Sequence, residues 1–172
     1  MSVQRPQYVE IPTLYDDTHR GEWGSDYKIS SMGNLTNLLG YLEHFDPAQT
    51  DGSIGICVAG GKGNFISKKL YDSIPEAHRP PLDTSHSRTV PFTVLGSSTM
   101  SLGSVIMPLI LTNADTNTKF RIKLYALVLP NLLLDMFISN PKWIKSEYWG
   151  GGKIVRTCEF RDGEIVKVVT RM

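Results

Sequence analysis

Ser53-Ile54-Gly55-Ile56-Cys57-Val58-Ala59-Gly60-Gly61-Lys62-Gly63-Asn64-Phe65-Ile66-Ser67 is the stretch around which the chain is organised. An apolar strand carrying Ile54, Ile56, Cys57 and Val58 enters a turn of closely spaced glycines and leaves through Phe65-Ile66-Ser67. The reading is an apolar strand, a tight glycine-rich turn and an apolar exit.

Outward from this stretch, the 172 residues suit one domain with a sizeable core. A hydrophobic share of 41%, with 20% charged residues, is that of an ordinary globular chain. The net charge of +1 and the lack of a concentrated basic run argue against nucleic acid as a direct partner. Cys57 and Cys158 lie in apolar strand contexts and read as buried free thiols. Without paired histidines they do not form a zinc site, and no other metal or cofactor is called for. The first residues lack an apolar signal core and no run reaches membrane-spanning length, so an intracellular, cytoplasmic location is expected.

Taken in order, residues 3–15 read as a proline-limited edge strand (Tyr8, Val9, Ile11, Leu14), and 16–31 as a polar loop anchored by Trp23. Leu35, Leu38, Leu39, Leu42 and Phe45 follow helical spacing behind Asn34, which predicts an amphipathic helix with Gly40 at a close crossing. Ser67–Ile74 predicts a short helix ending at Pro75, and Glu76–Thr89 a surface loop. Val90–Leu95 and Val105–Leu111 read as the arms of a hairpin, with Gly96 and Gly103 as hinges of its tip. A polar turn at Asn113–Thr118 leads into a strand over Phe120–Leu129. Leu132–Ile138 reads as a strand buried on both faces. Asn140-Pro141 opens a predicted helix through Trp143, Ile144 and Tyr148, and Arg161-Asp162-Gly163 turns a terminal hairpin between Ile154–Phe160 and Glu164–Thr170.

Residues 53–172, in this order, resemble the retropepsin-like aspartic proteases encoded by retrotransposons and found in DNA-damage-inducible proteases. Val58-Ala59-Gly60 stands at the family's Asp-Thr-Gly, Val94–Pro108 at its flap, and Val128–Ser139 at its second signature, preceded within the run by Asp135-Met136. The resemblance implies a mainly β fold: a closed β-barrel with a flap hairpin and short helices. Residues 1–50 are expected to add an arm and one helix packed on the 51–172 domain. It also implies a homodimer, because each family subunit supplies one aspartate of a proton-sharing pair.

The departures from the family pattern fall at the chemistry. Val58 cannot accept a proton, Ala59 lacks the hydroxyl of the family's Thr or Ser, and Ser139 replaces the glycine of the second signature. The expectation is a catalytically inactive scaffold for self-association and protein binding, with an extended peptide as one ligand and ribonucleoprotein granules as one setting. Its implied dimer interface comprises Val58, Ala59, Gly60, Tyr8, Ile11, Ile154, Val155, Val166 and Val168. Its peptide groove and flap comprise Gly96, Met100, Leu102 and Gly103. The alternative is an active protease using Asp83 of Asp83-Thr84-Ser85, although Pro80-Pro81 before it does not suit a buried strand and a turn cap fits better. Gly60-Gly61-Lys62-Gly63 also invites a phosphate-loop reading, but Gly63 stands where such a loop carries Ser or Thr. His19, His44, His78 and His86 are scattered and read as solvated.

Overall fold

Three strands from the central stretch and the second signature form a wedge in the computed structural model. They are β4 (Ser53–Ala59), β6 (Asn64–Ser67) and β11 (Met136–Ser139). The structure describes residues 9–10, 28–29, 37–42, 53–59, 61–92, 96–139, 144–149, 153–159 and 165–171. Although β4 and β6 are nearly consecutive, β11 lies between them, parallel to β4 and antiparallel to β6. The register places Ile138 opposite Val58 and Ser139 opposite Ala59.

Further strands close this wedge into a ring: β3 (Asn37–Tyr41), β9 (Gly103–Thr112) and β10 (Lys119–Leu129). The ring runs β10, β6, β11, β4, β3, β9 and back to β10, so the protein is mainly β with a closed six-stranded barrel. Closure leaves these six strands without a free lateral edge inside the ring. Alternate residues point inward, among them Ile54, Ile56, Val58, Ile66, Met107, Leu109, Ile122, Leu124, Met136 and Ile138. Cys57, Phe65 and Phe137 point outward, yet they are also buried, in a second cluster with Ile29 and Val90. The wedge therefore has apolar side chains on both faces, which explains its almost unbroken hydrophobic runs.

The second cluster is covered by a smaller sheet with strand order β5 (Gly61–Lys62), β2 (Lys28–Ile29), β7 (Thr89–Phe92) and β8 (Ser97–Met100). A third sheet contains β12 (Ile144–Trp149), β13 (Lys153–Glu159) and β14 (Ile165–Val168). Its Cys158, Val166 and Val168 join the barrel core. Two short strands complete the pairing: β1 (Val9–Glu10) lies parallel to β10, and β15 (Thr170–Arg171) antiparallel to β3. Helix α1 (Lys68–Ser73) begins where Ser67 Oγ accepts the Leu70 N–H at 3.0 Å, an N-cap that ends β6 and starts the helix together.

The strand at Phe120–Leu129, the turn at Asn113–Thr118, the short helix and the terminal hairpin all match their sequence expectations. Four expectations do not hold. Residues 37–41, predicted as helix, form β3, because Leu38 and Gly40 alternate inward and the strand supplies backbone partners to β4, β9 and β15. Gly40 does mark a close approach, since a Cβ there would lie 2.6 Å from Ile56 Cδ1. The predicted helix through Ile144 and Tyr148 is β12, where pairing with β13 and the strand preference of Ile, Tyr and Trp prevail over the Asn-Pro start signal.

The flap arms pair differently from the expectation. Val105–Leu111 belongs to β9 and pairs with β10, while the hairpin forms between β7 and β8. Finally, only Met136–Ile138 of the Leu132–Ile138 run is in a strand; Leu133 before it is 97% exposed. Leu35, Phe45, Trp23 and the Arg161-Asp162-Gly163 turn lie outside the described residues.

Candidate functional site

The turn that leaves β4 is built by steric necessity. Gly61 has φ +142°, and a side chain there would collide with the Lys28 carbonyl oxygen of β2. Gly63 has φ +99°, again in glycine's territory. The Ser139 N–H donates to the Gly63 carbonyl at 3.3 Å, tying the end of β11 to the turn. Below it, the Ser67 N–H donates to the Asp135 carbonyl at 3.0 Å, and Asp135 Oδ2 accepts the Gly55 N–H at 3.2 Å. Asp135 and Ser139 thus join β4, β6 and β11 at both ends of the wedge.

The Val58 side chain, which the sequence resemblance sets against a catalytic acid, is 4% exposed and belongs to the barrel core. An aliphatic group sealed in this way offers neither a proton nor a water ligand. Ser139, 1% exposed, has an Oγ without a hydrogen-bond partner among the described residues. Nearby Asn64 donates from Nδ2 to the Tyr125 carbonyl at 3.1 Å, while its Oδ1 has no partner there. Ser139 Oγ and Asn64 Oδ1 are thus two buried polar atoms at the base of the turn without partners among the described residues.

Asp83 occupies a different place. Its carboxylate accepts the Ser85 N–H at 3.0 Å and caps the short 3-10 turn Thr84–His86. Its backbone exchanges two hydrogen bonds of 2.9 Å with Ser104 at the start of β9. Gly103 makes this approach feasible, since a Cβ there would lie 2.5 Å from the Asp83 carbonyl oxygen. A cavity of about 270 Å³ beside it is walled by Pro81, Leu82, Val105, Ile106 and Tyr125. Asp83 is thus a turn cap beside β9, whereas Val58 and Ala59 pair with β11.

Gly61 and Lys62 are committed to the ladder with β2, and strand β6 follows them where a phosphate loop would require a helix. Burial pushes the Cys57 thiol up, partly opposed by the Arg156 guanidinium, and raises Cys158 to about 12. Both are free thiols, and burial lowers Arg156 in turn. Thiols held protonated are poor nucleophiles. Among the described residues, no group of three or more His, Cys, Asp or Glu could hold a metal ion.

Of the expected interface residues, Tyr8, Ile11 and Gly60 lie outside the described residues, and only the backbone of Ala59, Ile154 and Val155 is described. Val166 and Val168 direct their side chains into the core of their own chain. Of the expected flap residues, Gly96 turns between β7 and β8 with φ +64°, Met100 is 56% exposed, and Leu102 packs against the core.

A feature that the sequence reading did not single out is a groove of about 290 Å³ between β8 and the 131–134 loop. Phe92, Leu132 and Phe137 contribute to its walls, with Leu133 and Leu134 at the loop. The available sequence signal was Leu132-Leu133-Leu134, more apolar than a surface loop requires.

Among the described residues, no helix is long and apolar enough to cross a membrane. Comparison with known proteins returns no matching family model, no matching curated protein and no matching solved structure.

Proposed function

We propose that this chain is a catalytically inactive, retropepsin-like module that self-associates and serves as a scaffold for protein binding. The observation that carries the reading is Val58, an aliphatic side chain sealed in the core where the resemblance requires a carboxylate. The wedge supports it: the second-signature strand lies against the strand entering the glycine turn, in the register Ile138–Val58 and Ser139–Ala59. The capping role of Asp83 argues in the same direction, since its carboxylate is already engaged by its own turn.

The homodimer follows from the resemblance, in which each chain is half of a two-fold assembly meeting at the glycine turns. Val58, Val166 and Val168 then act from within, by setting the strands whose backbones and outer faces meet the second copy. The Gly96 hairpin and its neighbouring groove form the surface offered to a protein partner.

Two measurements test the reading. The purified chain is incubated with a peptide library between about pH 4 and pH 7, the range of carboxylate-dyad chemistry. No cleavage is expected; cleavage abolished by Asp83→Asn establishes the active protease instead. Sedimentation equilibrium at micromolar concentration is expected to give a dimer, and a strict monomer removes self-association.

A further inference from the structure

The hydrogen-bonding phase of the β7–β8 ladder is set at the end away from Gly96. The Ser101 N–H donates to the Arg88 carbonyl at 2.7 Å, and the Arg88 N–H donates to Ser101 Oγ at 2.7 Å. Arg88 and Ser101 thus face each other in hydrogen-bonded phase just beyond the Thr89–Met100 end of the antiparallel ladder. Hydrogen-bonded pairs alternate along such a ladder, which makes Val90–Thr99 and Phe92–Ser97 the next two. Pro91, which has no N–H, then falls opposite Ser98 in a pair that needs none. The N–H and C=O groups of Ser98 and Met100 consequently point away from β7. On that side, among the described residues, β8 has no neighbouring strand.

The groove lies against the same strand, lined by Ser97, Ser98 and Thr99 on one side and the 131–134 loop on the other. None of its lining residues carries a charge. A charged side chain placed there would lose water without gaining a partner, whereas a large neutral one would bury apolar surface against Phe92, Leu132 and Phe137. The other strand of the hairpin is closed to a peptide at its end, because β2 pairs with Phe92.

The geometry points to β8 as a strand-addition site: an extended, uncharged peptide pairs with Ser98 and Met100 and places one large apolar side chain in the groove. Backbone pairing supplies affinity and the groove supplies selectivity. The inference rests on the scaffold reading and specifies which edge and what peptide chemistry that scaffold uses.

Fluorescent peptides of alternating Thr and Val with a single central Phe, Glu or Lys, titrated into the full chain by anisotropy, test it. The Phe peptide is expected to bind saturably, and the Glu and Lys peptides at least about tenfold more weakly. N-methylation of the peptide amides facing β8 is expected to abolish binding without altering the protein. Ser98→Pro is expected to do the same while leaving the hairpin folded, since an edge strand tolerates proline where its N–H faces outward. No saturable binding of any peptide overturns the inference, as does binding indifferent to both N-methylation and Ser98→Pro. Dissociation of the dimer by Ser98→Pro also overturns it, by assigning the edge to a second copy. The cleavage assay tests catalytic inactivity independently of all these outcomes.

Discussion

The wedge of β4, β6 and β11 and the β7–β8 hairpin are both built from short strands, yet they obey opposite rules. In the wedge, both faces are covered and each strand has neighbours within the closed ring. In the hairpin, β8 has one neighbour among the described residues and three of its four side chains are exposed. The first arrangement leaves little room for sequence change; the second leaves backbone groups available to another chain. The contrast places the tightest packing of the described residues in the wedge and exposed strand surface at the hairpin.

The strongest way to break this contrast is Phe137→Ala, which empties the second cluster. A loss of about 3–5 kcal/mol is expected, read as a shift in the urea midpoint. Alkali probes the barrel core through Cys158. The folded chain holds this thiol's proton above the pH at which the unfolded chain releases it. Its contribution to stability is therefore complete below about pH 9 and is lost as pH rises toward about 12. The difference between the native chain and Cys158→Ala should shrink across that window, and a constant difference would contradict the burial argument.

Gly61→Ala is expected to cost about 1–3 kcal/mol, because the turn requires a backbone angle and a clearance that alanine lacks. Ser139→Ala removes a hydroxyl with no partner among the described residues, so thermal melting should show no loss and a gain of up to about 1 kcal/mol. At the hairpin, Met100→Thr should change stability by no more than about 0.5 kcal/mol, because its side chain is largely exposed. A large loss at Met100 with little loss at Phe137 would reverse the contrast.

The legible parts of the fold were those in which local pattern and tertiary demand agree. Phe120–Leu129 alternates as a strand and is one. The short helix forms where it was expected, with Ser67 as its N-cap, and Asp83 caps its turn. The two overturned helices share one cause: their apolar spacing was compatible with both periods, and long-range ladder partners selected the extended form. Leu38, Gly40 and Leu42 alternate inward as readily as Leu35, Leu38, Leu39 and Leu42 line a helix. The hairpin misreading has a related origin, since Val105–Leu111 is as good a strand for β10 as for Val90–Leu95.

At the site, Val58, Ala59 and Ser139 were visible as departures because residue identity is local information. The burial of Val58 and, among the described residues, the Ser139 hydroxyl without a partner and the edge of β8 without a neighbouring strand required knowledge of which segments become neighbours. The sequence by itself determined the apolar strand running into a glycine turn, the aliphatic residue at position 58 and the free thiols, because these follow from side-chain chemistry and glycine's backbone range. The tertiary structure alone decided the insertion of β11 between β4 and β6, the extended form of residues 37–41 and the exposed side of β8. Hydrogen-bond ladders between distant segments are cooperative, and no stretch of the chain contains its partner's half of the pairing.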